Sequence, residues 1–458
     1  MDEIYEIERK KTFRAIFQLY FMIYFFYGIL PVNIDNLLIY LPNTTTFGIG
    51  FLQAFTLIVA IISILFFGYF EDKIAIKYSR KKIFIITNLI WILSYGLISL
   101  STNYYYYLIF YLISSVGIGA FLPIGFSMIG DFYTPIERGK KFGIMNFALI
   151  LGSGMGIIGG GLLGSYVAGS LGWRISYVIG FVLGVIPLIF YIKEGIEPER
   201  GRSEPEFEDF KGEINYNYKI TFKSLIELFR KKSIGAILLY VLCSGIATST
   251  LGIWGIFYIT SKIGDANAEL AATTIYLIAG AGALPGTIIG GKLGDLYLSR
   301  GKVRGRAIIS LIGVILGVLF TLSFYLIPFF TNNTFQIVFS WIFFIVLGFF
   351  GYFFATFSVG NQFAIYSEVC VPELRSSANA MNGLMVNIGG IFGNLLLSYL
   401  IEKGLSWLPI AISLVLFIWL VGSFLWIIPY FYYPKESKLC SDILLRRRQE
   451  LEKNVKSA

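Results

Sequence analysis

The chain has 458 residues, of which 56% are hydrophobic, 17% aromatic and 14% charged, with no histidine and a formal charge of +9. Soluble domains carry about 25% charged residues, so this composition excludes a disordered chain and argues against a water-soluble enzyme. The mean hydropathy of +0.72 requires lipid to cover part of the apolar surface. Without histidine there is no catalytic imidazole, no His-ligated metal and no imidazole pH switch. Cys243, Cys370 and Cys440 have no metal-type spacing and give no disulfide framework.

The N-terminal stretch from Met1 to Lys11 is charged with mixed sign, and the apolar segment after it is too long for the core of a cleavable signal peptide. Twelve apolar runs are long enough to span a membrane. They cover 13–41, 48–70, 83–101, 105–129, 142–168, 175–192, 234–261, 269–291, 306–329, 335–362, 377–401 and 406–432. The expected architecture is an all-α membrane protein with a six-helix bundle over 1–192 and a second over 234–433. A linker over 193–233 carries an amphipathic helix from Thr221 to Lys232, and a basic tail over 434–458 follows. Of the 37 Lys and Arg residues, 34 fall in the termini and the loops on the same side. Arg174, Lys262 and Lys403 alone fall on the other. Basic residues are retained in the cytoplasm, so both termini are expected there, in the cell membrane. The positive charge is thus a topology signal, and no nucleic-acid partner is expected.

The first span is expected to include Asp35, the sole acid placed well within a span, flanked by Asn33 and Asn36. Ionisable groups in membrane segments are costly, which makes Asp35 a candidate substrate contact or proton carrier. A first span that ends near Pro31 would instead leave Asp35 in an outer vestibule. The second span ends in Gly68-Tyr-Phe-Glu-Asp72, followed by Arg80-Lys81-Lys82. The eighth ends in Gly291-Lys-Leu-Gly-Asp295, followed by Arg304-Gly-Arg306, at an offset of 223 to 224 residues. A second pair, Asp131-Phe-Tyr-Thr-Pro135-Ile-Glu-Arg138 and Glu368-Val-Cys-Val-Pro372-Glu-Leu-Arg375, lies at offset 237, and each is followed by Met-Asn. Two parallel six-helix repeats follow, related by an axis along the membrane normal. Gly68, Asp72, Arg80, Lys81, Asp131, Arg138, Gly291, Asp295, Arg304, Glu368 and Arg375 are expected to gate the cytoplasmic face. Asp72 and Asp295 would meet the positive end of a helix from the opposite half, in contacts that exist while that face is closed.

Glycines recur every fourth residue in two spans: Gly152, Gly156, Gly160 and Gly164 in the fifth, and Gly282, Gly286, Gly290 and Gly294 in the eighth. Such stripes let backbones approach closely, and these two helices are expected to pack against each other. The Gly154-x-Gly156-x-x-Gly159 match to a dinucleotide fingerprint has no strand before it and is coincidental. No phosphate-binding loop, nucleophile–base pair or metal cluster is visible, so no cofactor, no metal and no enzymatic activity is expected.

The motifs at Gly68-Tyr-Phe-Glu-Asp72…Arg80-Lys81-Lys82, Val116-Gly-Ile-Gly119, Gly130-Asp131-Phe132…Arg138, Gly172-Trp-Arg174 and Glu197-Pro-x-Arg-Gly201 resemble the major facilitator superfamily. Within it, the spinster-like branch is the most similar. The match departs where Ile74-Ala-Ile-Lys77 is inserted. It departs again at Asn36, Ile113 and Ala120, where the family pattern carries charges. The resemblance implies a secondary transporter working by alternating access, with a cavity lined by helices one, four, seven and ten. Asp35, Asn36, Asn33, Gln53, Trp254, Tyr352 and Asn361 are the candidate substrate or proton residues, with Ser244, Thr248 and Gln362 beside them. One acid among many rings suits an amphipathic or lipid-like solute of lysolipid or sphingoid type, with protons as the candidate coupling ion and a monomer in the bilayer as the expected state. A polyspecific drug or organic-solute carrier of the same fold and a transport-inactive membrane sensor remain the alternatives.

Overall fold

A computed structural model describes residues 3–74, 79–133, 135–167, 169, 171–198, 228, 230–264, 268–330, 333–370 and 372–457. For residues 3–4, 68–74, 135–140, 142–143, 146, 165–166, 334, 372–377 and 444–457 it describes the backbone alone. Among the described residues the regular structure is helical throughout. Among the described residues, twelve helices are long and apolar enough to cross a membrane. They are α1 (Tyr5–Val32), α2 (Thr46–Phe67), α3 (Arg80–Ile98), α4 (Tyr104–Phe132), α5 (Phe147–Gly164) and α6 (Leu171–Glu194), then α7 (Lys232–Ile263), α8 (Ala268–Ser299), α9 (Gly305–Leu326), α10 (Phe335–Val369), α11 (Ala378–Glu402) and α12 (Leu405–Ile443). The chain is a multi-pass membrane protein, as its hydropathy pattern requires.

Local chemistry sets where the helices start and stop. Asn103 Oδ1 accepts from Tyr106 N at 3.0 Å ahead of α4, and Asn333 Oδ1 accepts from Gln336 N at 2.9 Å ahead of α10. The fourth helix of each half therefore begins with the same asparagine cap. At the other end of α3, the Arg174 guanidinium donates to Ser99 O and Ser101 O, both at 2.7 Å, and satisfies carbonyls that the helix leaves open. Within α4, Pro123 lies in a π-helical turn over Leu122–Phe126.

Two helix ends differ from expectation. The first span was expected to run to residue 41, but α1 stops at Val32. Asn33 N bonds back to Leu30 O at 3.1 Å and Asn33 Nδ2 to Ile29 O at 2.9 Å, which tightens the last turn and ends it. Asp35 then lies on a separate short helix, Ile34–Tyr40, outside the span. At the C-terminus the helix does not stop at Pro434: it runs from Ile427 to Ser457 with that proline inside. The amphipathic helix expected over Thr221–Lys232 lies almost wholly outside the described residues.

The chain forms two compact units, one of Met1–Tyr216 with Ile253–Thr273 and one of Asn217–Gly252 with Thr274–Ala458. The first thus holds α1–α6 together with the adjoining ends of α7 and α8. Most of each stripe is filled by a helix other than the one expected, while the end of the first stripe meets α8: the Cβ place at Gly164 is 2.7 Å from Glu269 Oε1. A side chain at Gly152 or Gly156 would strike Phe21 O or Phe25 O on α1, and one at Gly160 would lie 2.7 Å from Val32 Cγ2. In the second unit, Gly282 and Gly286 abut Phe349 O and Phe353 O of α10, Gly290 abuts Phe357, and Gly294 abuts Asn361 Oδ1. Close backbone approach is what the stripes provide: α5 offers it mainly to α1, with Gly164 at its end against α8, and α8 offers it to α10.

Candidate functional site

Each unit carries a buried arginine at the end where α2 runs towards α3, or α8 towards α9. In the first unit Arg80, 2% exposed, places Nη1 2.6 Å from Asp131 Oδ2 and donates from Nη2 to Pro198 O at 2.6 Å. Glu197 completes the arrangement at the start of α3. Its Oε1 accepts from Arg80 N at 2.9 Å and stands 3.5 Å from Arg80 Nε, while Oε2 accepts from Lys81 N at 3.3 Å and from the Ser79 hydroxyl. Burial alone would raise this carboxyl, but the Ser79 hydroxyl, the two amides and the guanidinium outweigh it and hold its pKa below the usual carboxylate value. The family-like Glu197 motif flagged the segment, yet this role went unread in the sequence.

The second unit repeats the pattern through Arg306, not Arg304. Arg306, 6% exposed, places Nη2 2.7 Å from Asp295 Oδ1 and 3.1 Å from Glu368 Oε1, and its Nη1 donates to Asn361 Oδ1 at 3.4 Å. Arg304 instead lies 5.0 Å from the Tyr430 ring. Motif spacing pointed to Arg304, and burial selects Arg306. In both halves the arginine after the first repeated motif meets the acid of the second, Asp131 or Glu368. Asp295 pairs with Arg306 of its own half. Gly291 has open space where a side chain would be. Gly68, Asp72, Arg138 and Arg375 have no described side chains.

At the far end of α1 a polar cluster gathers in the first unit. A Cβ on Gly164 would lie 2.7 Å from Glu269 Oε1, 3.0 Å from Asn36 Nδ2 and 3.1 Å from Asn33 Oδ1. None of these three atoms has a hydrogen-bond partner. Asp35, on the same short helix, has its carboxyl pushed up to about 6 by burial. Glu269 was missed because it sits in the first turn of α8, where an acid ordinarily serves the helix end.

In the second unit a cavity of about 230 Å³ opens between α7, α8, α9, α10, α11 and α12. Thr248, Tyr276, Tyr352, Thr356, Gln362 and Trp419 give its lining its character, and no Asp, Glu, Lys or Arg contributes. The break in α10 at Thr356 brings that hydroxyl to Ala283 O at 3.1 Å. Tyr276 donates to Leu251 O at 3.0 Å, and its ring packs edge-on against the Tyr352 ring at 6.1 Å.

The remaining candidates lie elsewhere. Asn361 is consumed by helix packing, donating to Gly290 O and Phe357 O at 3.0 Å each. Trp254 is fully buried in the first unit, and Gln53, 5% exposed, lies on α2. Of the residues singled out from sequence, the structure brings Asn33, Asn36 and Gly164 together in one place and Tyr352, Ser244, Thr248 and Gln362 in another.

The Major Facilitator Superfamily model matches residues 16–365. Over 128 residues (27% of the chain) it is 30% identical to multidrug resistance protein 3 of Bacillus subtilis, and over 188 residues (39%) it is 30% identical to a sphingosine-1-phosphate transporter of Xenopus tropicalis. The matched stretches span 24% and 34% of those relatives' own lengths. The fold is similar to that of a bacterial homologue of the human lysosomal transporter Spinster, with a TM-score of 0.74 and 17% identity, covering 94% of this chain and 98% of the other.

Proposed function

The chain belongs to the Major Facilitator Superfamily, and on that footing we propose that it is a secondary transporter of an amphipathic, lipid-like organic solute, working by alternating access between its two six-helix halves. The observation that carries the cargo class is the lining of the cavity in the second unit: hydroxyls, a carboxamide and aromatic rings, with no formal charge. Such a surface favours an apolar body with a few hydrogen-bonding groups, and it offers no counter-ion to a polyanion. At about 230 Å³ it holds one end of a lysolipid-sized molecule. Similarity to the sphingosine-1-phosphate transporter supports the lipid reading, and similarity to the multidrug resistance protein supports a lipophilic drug as the second.

Asp35 is the proposed proton-linked residue, because burial pushes its carboxyl up to about 6 and it lies within electrostatic range of Glu269. The ionic clasps around Arg80 and Arg306 are proposed to set the geometry of the cytoplasmic loops during the cycle. Proteoliposome flux of lysolipids, sphingoid bases and lipophilic drugs, with Tyr352→Ala as comparison, tests the cargo class. Lipid movement that the variant weakens supports the reading. High-affinity uptake of a multiply charged metabolite without lipid movement overturns it, and drug flux without lipid flux selects the second reading.

A further inference from the structure

The cluster at the far end of α1 takes no part in the clasps or the cavity. Three pairs at helical spacing converge there: Asn33 with Asn36 at the start of the short helix Ile34–Tyr40, Gly161 with Gly164 on α5, and Glu269 with Thr273 on α8. Residues three or four apart share one helix face, so each helix presents one face to the same gap. All six belong to the first unit.

Because Gly164 has no side chain, these polar groups can close in on one point. The place its Cβ would take is ringed by Glu269 Oε1, Asn36 Nδ2 and Asn33 Oδ1, and one turn back the place at Gly161 is 3.1 Å from Thr273 Oγ1. All four polar atoms are buried and lack a hydrogen-bond partner. Asn33 is 0% exposed, and its amide orientation is fixed by the bond from Nδ2 to Ile29 O, which leaves Oδ1 aimed into the gap. Unsatisfied buried polar groups are costly and uncommon, and four around one gap point to an occupant.

The donor set identifies its chemistry. Glu269 offers a carboxylate, Asn33 an amide oxygen and Thr273 a hydroxyl. Asn36, whose Nδ2 is unbonded, presents its own amide oxygen after a half-turn about its last side-chain bond. Neither thiolate nor imidazole is present, which disfavours soft metals. One carboxylate at the gap is too little charge for a divalent ion, which takes several oxygen ligands with more formal charge.

We propose that this gap binds a small monovalent inorganic cation of the sodium class, held by Glu269, Asn33, Asn36 and Thr273. Asp35, within electrostatic range of Glu269, adds to the attraction. The ion ties the end of α1 to α5 and α8. Binding is read in the solubilised protein without flux, so its failure and the failure of the transport reading are separate results.

The test is the thermal midpoint of the purified full-length protein as choline chloride is replaced by sodium chloride at constant ionic strength and pH. The expected result is a rise along a saturating curve, with at least a ten-fold weaker apparent affinity in Glu269→Gln and in Gly164→Ala. Gly154→Ala, which meets open space, keeps the wild-type response. Radioactive sodium bound to the wild type and displaced by unlabelled sodium is the second readout, and it decides the question should either site variant fail to fold. No sodium-specific rise, an equal rise in Glu269→Gln and Gly164→Ala, or a midpoint that follows pH and ignores sodium would each overturn the proposal.

Discussion

Arg80 Nη1 stands 2.6 Å from Asp131 Oδ2 with the arginine 2% exposed. Removing one partner of a buried pair leaves an uncompensated charge, at a cost of about 3–5 kcal/mol where the pair is isolated. Here Glu197 and Pro198 O also hold the guanidinium, so Asp131→Asn should destabilise the protein by about 1–3 kcal/mol. Chemical denaturation of the purified variant measures it, and a loss below about 0.5 kcal/mol would show the pair to be unimportant for stability.

The second unit gives a sharper comparison. Arg306→Ala removes a buried group facing Asp295 and Glu368, whereas Arg304→Ala removes an exposed group above a ring. The first should lower the thermal midpoint by several degrees and the second by little. Equal effects would restore Arg304 as the counterpart of Arg80.

Gly156 and Gly154 lie two residues apart on α5 but differ in what surrounds them. A methyl at Gly156 strikes Phe25 O, and one at Gly154 meets nothing within 4 Å. Gly156→Ala should cost about 1–3 kcal/mol through overpacking, while Gly154→Ala should be neutral or slightly stabilising through helix propensity. Thermal midpoints of the two variants, measured side by side, check the difference.

Asp35 and Glu197 should give pH dependences of opposite sign. The folded state raises Asp35 from 3.8 to about 6, so it holds the extra proton between those values. The stability it contributes is complete below 3.8 and declines as pH rises to about 6. Asp35→Asn should abolish that decline. Glu197 is held below its usual value of 4.5; its contribution is present above that value and is lost as pH falls through the lowered one. Glu197→Gln should flatten the acid limb alone. Midpoints of wild type and both variants from pH 3.5 to pH 7.5 separate the two.

The membrane architecture was legible because each span is a continuous apolar run, and lipid demands such runs wherever a helix crosses. The parallel repeat was legible from acids, prolines and arginines at matched spacing. Contact was not legible. Spacing pointed to Arg304, whereas the fold buries Arg306 and pairs it with Glu368. The glycine stripes announced close packing, but not that Phe25 and Phe353, on helices distant in sequence, fill most of them; the α5–α8 contact is confined to the end of the stripe at Gly164. The first span was read too long because Val32–Leu41 is apolar enough to continue it. Its actual end depends on the side chain of Asn33 folding back on Ile29 O. Glu269 acquires meaning only beside Gly164 and Asn36, which no local pattern brings together.

The π-helical turn over Leu122–Phe126 acts as a rotary offset within α4. One additional residue in a turn advances every later side chain by about 100° around the axis. Tyr107 and Tyr111 can therefore face the aromatic core with Tyr177 and Tyr95 while Asp131, further along the same rod, points at Arg80. Excising a single residue from that turn would dial Asp131 away from the guanidinium while leaving the tyrosines aligned, and so uncouple two interfaces that one helix serves.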